Sequence, residues 1–153
     1  MCNHNVVDQE RLLSAEELAT WRGFLRVHSE LTQRLDSELR EAHDLPLNSY
    51  EVLLFLNDSP EGSLRMSQLA DGVLLSRSGL TRLVDRLQKR GLVARADSPE
   101  DGRGCLALIT EEGRELFAAA RRTHLAGVRR LFLEPLSAAQ RQELAGAWNE
   151  LVG

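Results

Sequence analysis

The chain has 153 residues and a formal net charge of −4, and 42% of its residues are hydrophobic and 27% charged. This length suits one domain with a sizeable core, and the composition is that of a soluble globular protein. No uninterrupted apolar run is longer than that at 52–56, which is too short to cross a bilayer, and the first ten residues lack the parts of a signal peptide. We therefore expect a cytoplasmic protein with no membrane partner.

The spacing of cysteine, histidine and glycine argues against several classes of site. The two cysteines, Cys2 and Cys105, are too few for a disulfide framework, and no CxxC or HxxxH spacing begins a zinc site. The GxSxG, Walker and HExxH motifs are missing, and the glycines at 102 and 104 lack the third glycine of a dinucleotide-binding loop. We expect no enzyme activity, no metal and no cofactor.

A long amphipathic helix is predicted near the start of the chain. Ser14 and Glu17 form a capping-box pattern, and apolar residues then recur at spacings of three and four from Trp21 to Ala42. This helix of nearly thirty residues ends before Pro46. A helix this long in a small chain usually packs against more than its own domain, and dimerisation is the simplest use.

Shorter elements follow it. A second helix is predicted from Asn48 or Ser49 to Leu56, before the turn-forming residues 57–62. A brief extended piece at 64–66 leads into a short helix that we expect Ser67 to cap.

The most informative element is the helix that starts after Ser76 and stops near Gly91. One side of it is apolar: Leu80, Leu83, Val84 and Leu87. The other side carries hydroxyls, cations and one acid: Ser78, Thr81, Arg82, Asp85, Arg86 and Lys89. Arginine can form bidentate hydrogen bonds with guanine, and hydroxyls reach phosphates or bases. For an isolated helix, an ordinary solvated face is the simpler interpretation, so the flanking segments decide.

Those segments favour nucleic-acid binding. Two short helices joined by a tight turn, the second amphipathic and basic, form a helix-turn-helix. Residues 76–103 contain seven basic and four acidic residues, a net charge of +3 that leaves −7 for the other residues. One electropositive segment on an acidic body can orient the molecule on a polyanion.

A β-hairpin is predicted next, because the pattern changes to short β-compatible runs at 92–96 and 105–110. In the second run, Leu106 and Leu108 share one face. The eight residues 97–104 between the runs are rich in turn formers and include Arg103. Such a hairpin is called a wing, and Arg103 could enter a minor groove. A surface loop in which Asp101 holds Arg103 explains the pattern equally well.

Two further helices complete the chain. One begins at 110–113 with acidic residues in its first turn and ends at Pro135. Ser137 then caps a last helix whose apolar stripe includes Leu144 and Trp148.

Residues 64–113 resemble the MarR family (multiple antibiotic resistance regulator) of transcription regulators. The matching segments are LRMSQLA (64–70), LLSRSGLTRLVDRL (74–87), RGLV (90–93), DGR (101–103) and LALITEEG (106–113). The resemblance implies one mainly α-helical domain over 1–153 with a small β-wing. A winged helix-turn-helix lobe at 45–111 would be flanked by dimerisation helices at 14–43 and 112–153. Such homodimers bind pseudo-palindromic double-stranded DNA operators, and they usually repress until a small-molecule effector or an oxidant weakens binding.

The resemblance also assigns residues. The recognition helix matches at Ser76, Arg77, Ser78, Thr81, Arg82 and Arg86, and the wing matches at Asp101 and Arg103. Lys89 and Arg95, which are basic residues of the same segment, complete the predicted DNA-binding set. The family wing often carries two adjacent basic residues, whereas here the first of them is Gly102. Minor-groove reading is therefore expected to depend on Arg103 alone.

Effector binding is less specified. The candidates are Trp21, Phe24 and His28 on the first helix and Tyr50 on the second, although core packing explains such residues more often. His28 and His124 both lie on apolar stripes, where burial would favour the neutral imidazole, and this leaves a response to pH or to a metal open as an alternative.

Two other functions remain open. A winged helix can serve as a protein-interaction scaffold without an operator, in which case its binding would depend little on salt. Alternatively, Cys105 could be a redox switch, although a small apolar filler is its usual role in a strand.

Overall fold

The protein is mainly α-helical with one small antiparallel sheet, as the sequence predicts. The structure is a computed structural model that describes residues 13–73, 75–97 and 104–152. In chain order its elements are α1 (Ala15–His43), α2 (Leu47–Asp58), β1 (Ser63–Arg65), α3 (Met66–Gly72), α4 (Arg77–Lys89), β2 (Val93–Asp97), β3 (Cys105–Ile109), α5 (Glu111–Val128) and α6 (Ala138–Val152).

Side-chain caps fix the starts of the long helices where the sequence places them. The Ser14 hydroxyl accepts a hydrogen bond from the Glu17 N–H at 3.1 Å, and the Glu17 carboxylate accepts one from the Ser14 N–H at 2.7 Å. Thr110 accepts from the Gly113 N–H at the start of α5, and Ser137 accepts from the Gln140 N–H before α6. Each cap satisfies an N–H group that has no partner within its own helix.

Two helix starts differ from the prediction. The second helix begins at Leu47 rather than at Asn48 or Ser49, because an Asp36 carboxylate oxygen on α1 accepts the Leu47 N–H at 2.8 Å. The prediction that Ser67 caps the third helix was wrong. That helix begins at Met66. The N–H group of the preceding residue, Arg65, donates a hydrogen bond of 3.1 Å to the side-chain oxygen of Gln68.

The end of α5 also departs from the expected continuous helix. The α-helical part stops at Val128, and Arg129–Leu133 forms a wider π-helical turn in which the Glu134 N–H bonds the Arg129 carbonyl oxygen at 2.8 Å. The Arg141 guanidinium donates to the carbonyl oxygens of Leu133 and Leu136, at 2.9 and 3.0 Å. Arg141 thereby satisfies acceptors at the corner between α5 and α6.

The three described strands form an antiparallel sheet in the order β1-β3-β2. In register, Ala107 of β3 lies opposite Leu64 of β1 and Arg95 of β2. Ala107 and Ile109 are buried, whereas Leu106 and Leu108 on the other face of β3 are only half-buried. Because opposite residues in a sheet share a face, Arg95 lies on the side of the sheet that meets the core.

The core of the lobe lies between the sheet, the helices α2 to α5 and the end of α1. Its fully buried side chains are Leu39, Leu45, Leu53, Leu56, Leu69, Leu80, Leu83, Leu87, Val52, Val84 and Val93. By contrast, α1 is exposed from Thr20 to Glu30, and no residue of α6 is buried within this chain. The lobe is therefore packed by one chain, whereas the terminal helices leave much of their apolar surface uncovered.

Candidate nucleic-acid interface

The helix α4 presents a polar face to solvent and an apolar face to the core, as its sequence predicts. Leu80, Leu83, Val84 and Leu87 are each 1% exposed or less, and they fix the rotation of the helix about its axis. The remaining predicted positions on this segment are exposed: Ser76, Arg77, Ser78, Thr81, Arg82, Arg86 and Lys89. Burial of the leucines therefore determines which side chains a partner outside the protein can reach.

Hydroxyl groups near the start of α4 are partly committed to the helix. The Ser76 hydroxyl accepts from the Gly79 N–H at 3.1 Å and lies 3.3 Å from the Ser78 hydroxyl. The Thr81 hydroxyl donates to the Arg77 carbonyl oxygen at 2.8 Å. These bonds hold the hydroxyls at the surface while leaving each oxygen with remaining capacity to accept a hydrogen bond.

Four cations on α4 are available for a ligand. Within the described part of the chain, no carboxylate lies in ion-pair range of Arg77, Arg82, Arg86 or Lys89. Side chains of this kind can reach phosphates, and arginine can also read guanine edges in a major groove.

Arg95 differs from these four. Its guanidinium pairs with the Asp85 carboxylate of α4 at 2.7 Å, and a second nitrogen donates to the Thr81 carbonyl oxygen at 3.4 Å. The Arg95 side chain is 27% exposed. The sequence predicts it as a DNA contact, but its charged group is directed at the helix.

A hollow of about 430 Å³ lies beside the first turns of α4. Its walls include Met66 and Ser67 of α3, Arg77 and Thr81 of α4, and Cys105 at the start of β3. The half-buried Cys105 thiol donates a weak bond to the Leu106 carbonyl oxygen at 3.7 Å. Cys105 therefore borders the same hollow as the first turns of α3 and α4.

The predicted wing residues Asp101 and Arg103 lie outside the described residues, together with the rest of the tip at 98–103. The two strands that lead into and out of it, Val93–Asp97 and Cys105–Ile109, pair along their full length.

The four effector candidates do not form one site. Phe24 and His28 line a hollow of about 530 Å³ between α1, the π-helical turn and α6. Trp21 lies next to Phe24, with ring centroids 5.9 Å apart, but does not line that hollow. Tyr50 is 3% exposed and lies in the core of the lobe.

Residues that were not predicted complete the lining of this second hollow. Phe132 belongs to the π-helical turn, and Leu144 and Trp148 belong to α6. The ring of Trp148 lies 5.8 Å from that of Phe24. The apolar stripe of the last helix was the available signal, but its partner helix could not be identified from spacing.

Tyr50 belongs to an aromatic stack at the junction of α2 and α5. Its ring centroid is 5.5 Å from that of Phe117 and 4.6 Å from that of His124. Burial lowers the pKa of His124, an effect that Glu38 partly opposes, and burial raises the pKa of Tyr50. Among the described residues, none bonds the buried Nδ1 atom of His124.

Within residues 13–73, 75–97 and 104–152, no three His, Cys, Asp or Glu side chains converge as metal ligands would. No helix in the same ranges combines the length and apolar character needed to span a membrane.

Comparison with known proteins relates this fold to transcriptional regulators. The sequence model of the MarR family matches residues 43–104. A MarR family transcriptional regulator from Streptomyces coelicolor, crystallised in complex with DNA, is 34% identical with a TM-score of 0.87, over 93% of this chain and 89% of that one. AbsC, a MarR family transcriptional regulator from the same organism, is 33% identical with a TM-score of 0.86, over 93% of this chain and 95% of AbsC.

Curated relatives point the same way over shorter stretches. The HTH-type transcriptional repressor IacR of Pseudomonas putida is 38% identical over 88 residues, which are 58% of this chain and 51% of IacR. The uncharacterized HTH-type transcriptional regulator YfiV of Bacillus subtilis (strain 168) is 33% identical over 108 residues, which are 71% of this chain and 66% of YfiV. The chain thus spans about half to two thirds of the length of these relatives.

Proposed function

Because the chain belongs to the MarR family of transcriptional regulators, we propose that it is a cytoplasmic repressor that binds specific double-stranded DNA through α4. The observation that carries this proposal is the exposed face of α4, where Arg77, Arg82, Arg86 and Lys89 have no described carboxylate partner. A protein-interaction scaffold would have no need for unpaired cations on a helix of this lobe.

The α4 helix would enter a major groove with its first turns at the base edges. Arg77 and Arg82 would contact bases or phosphates there, with Ser78 and Thr81 as hydroxyl partners. Arg86 and Lys89 lie further along the helix and would reach the phosphate backbone. The wing would add Arg103 in the adjacent minor groove.

Two copies of the chain would act together. Large apolar side chains are exposed on both terminal helices, and Trp21, for example, is 54% exposed. They include Trp21, Phe24 and Leu25 of α1 and Trp148 and Leu151 of α6. Uncovered aromatic and aliphatic groups of this extent favour burial against a partner. A homodimer joined through these helices would present two copies of α4 about 34–36 Å apart, and so would require a pseudo-palindromic operator.

The hollow beside Phe24 and His28 is a suitable place for an effector. Its lining is almost entirely apolar, with Thr20 and His28 as polar groups, which suits a small aromatic ligand that carries one hydrogen-bonding group. Because α1 and α6 would also form the dimer contact, a ligand there would change the distance between the two α4 helices. DNA binding would weaken as a consequence.

Selection of bound fragments from random duplex DNA tests this proposal. We expect an inverted repeat whose half-sites are centred about one helical turn apart. We also expect a dimer in light scattering, and an affinity that falls steeply with salt concentration. A monomer at micromolar concentration, or a protein that selects no sequence, would refute the proposal. Binding to a protein partner with little salt dependence would favour the scaffold instead.

A further inference from the structure

The side chain of Arg95 crosses from the sheet to the outer side of α4. It leaves β2 on the same face as Val93, opposite Ala107, and ends between two residues of the helix. One guanidinium nitrogen is 2.7 Å from the Asp85 carboxylate, and another donates to the Thr81 carbonyl oxygen. Its Nε atom is buried and has no partner among the described residues. Arg95 is thus anchored on α4 by an ion pair and a backbone hydrogen bond.

Asp85 is the one carboxylate within α4, Arg77–Lys89. On a helix, residues three or four apart are neighbours, so Asp85 lies next to Arg82 on one side and Lys89 on the other. Without another partner, the carboxylate would pair with one of these cations and neutralise it. In the structure neither pairing occurs, because Asp85 is bound by Arg95.

We propose that Arg95 is a positioning residue that holds Asp85 away from Arg82 and Lys89 and so keeps these two cations available to DNA. This inference rests on the proposed function. Arg95 also links the wing strand to the middle of α4, because it binds the Thr81 carbonyl oxygen as well as Asp85. The ion pair is half-buried, with Asp85 44% exposed, so solvent screens it less than a fully exposed pair.

The two possible roles of Arg95 predict different behaviour in a double variant. If Arg95 contacts a phosphate, its removal loses that contact whatever stands at position 85. If Arg95 neutralises Asp85, then removing the Asp85 charge as well restores binding. If Arg95 serves folding alone, its removal would lower the thermal stability, and the molecules that remain folded would bind DNA as tightly as wild type.

The test measures affinity for the selected operator, and its salt dependence, in wild type, Arg95→Gln and Arg95→Gln/Asp85→Asn. We expect Arg95→Gln to bind about ten-fold more weakly, in line with the coupling found between contacting residues. The slope of log Kd against log salt should also become shallower, by about one counterion. Both values should return towards wild type in the double variant. Arg95→Gln/Asp58→Asn removes an equal charge from α2 and should show no such recovery.

Each outcome is decisive once circular dichroism shows that the variants are folded. Arg95→Gln/Asp85→Asn binding as weakly as Arg95→Gln would overturn the inference and identify Arg95 as a direct contact. The inference would also be overturned if Arg95→Gln bound the operator as tightly as wild type. In that case Arg95→Lys, which keeps the positive charge, checks that the charge at position 95 is not needed. Wild-type protein that selects no duplex would refute the proposed function, and this inference with it.

Discussion

The guanidinium of Arg90 donates a hydrogen bond of 2.6 Å to the backbone carbonyl oxygen of Asp44. Arg90 follows the last turn of α4, and Asp44 terminates α1 in a left-handed conformation with a φ of 50°. The Asp44 carboxylate, in contrast, is 3.9 Å from the nearest Arg90 nitrogen and its side chain is 98% exposed. The backbone bond is therefore the stronger of the two, and it is a direct contact between the end of α1 and the end of α4.

The backbone conformation of Asp44 predicts how substitutions there behave. Asp44→Ala should lower the free energy of unfolding by about 1 kcal/mol, because a side chain without local hydrogen bonding is strained in the left-handed region. Asp44→Asn should stay within about 0.5 kcal/mol of wild type, since asparagine tolerates the left-handed region through local hydrogen bonding of its side chain. Urea unfolding at one fixed protein concentration measures both. An equal loss in the two variants would show that the carboxylate charge is what matters.

The exposed position of Arg82 on α4 predicts that this side chain contacts a base or a phosphate of the operator. Arg82→Ala should weaken operator binding by about 1–3 kcal/mol, as expected for the loss of an arginine from a groove contact. Arg122→Ala is the matched control, because Arg122 is an exposed arginine of α5 outside the winged lobe. Fluorescence anisotropy at fixed salt compares the two. Equal effects of both variants would mean that only the net charge of the protein is sensed.

The arginine in the wing sequence, Arg103, predicts a second DNA contact that is independent of α4. Arg103→Ala should weaken operator binding by about 1–3 kcal/mol, because Gly102 leaves the wing with one arginine for the minor groove. Gly102→Arg supplies the second cation of the usual family pattern and should tighten binding. Titration at constant salt measures both variants. An unchanged affinity in Arg103→Ala would remove the wing from the proposed interface.

The sequence was sufficient wherever a local signal determines the structure. The caps Ser14, Ser76 and Ser137 and the apolar side of α4 could be identified because each depends on residues within one or two turns. The family resemblance over 64–113 added the arrangement of the lobe, and the measured similarity confirms the family.

What the sequence missed depends on contacts between distant residues. The start of α2 is set by Asp36, 11 residues before Leu47 and on another helix, so no local cap announces it. Charge counts also could not reveal that Arg95 pairs with Asp85 of another element, and the prediction that Arg95 contacts DNA stays a prediction. Spacing likewise does not reveal that Arg141 of the next helix donates to the carbonyl oxygen of Leu133, the last residue of the π-helical turn.

Close packing at the start of α5 predicts a large loss of stability at one glycine. A Cβ atom on Gly113 would lie 2.2 Å from the Leu92 carbonyl oxygen and 2.9 Å from an Ile109 side-chain carbon. Gly113→Ala should therefore lower the free energy of unfolding by about 3 kcal/mol or more, because the Leu92 backbone must move. Glu115→Ala, at an exposed position of the same helix, should change it by less than about 0.5 kcal/mol. A mild Gly113→Ala phenotype in urea unfolding would contradict this packing.

The burial of His124 predicts how stability depends on pH. Burial lowers its pKa below the ordinary value of 6.5, and the nearby Glu38 carboxylate only partly offsets this. The unfolded chain therefore binds a proton more readily than the folded one as the pH falls through 6.5. Neutral His124 therefore makes its full contribution to the free energy of unfolding above pH 6.5. That contribution is lost as the pH falls from 6.5 towards the lowered pKa of the folded state.

The variant His124→Gln separates this effect from other titrations. Urea unfolding midpoints measured from about pH 7.5 down to about pH 5.5 should fall in wild type and fall less steeply in His124→Gln. Glutamine keeps a polar group next to Tyr50 but carries no titrating charge, so any remaining slope belongs to other groups. If both proteins lose stability in parallel across this range, the imidazole stacked on Tyr50 is not what makes the fold sensitive to acid.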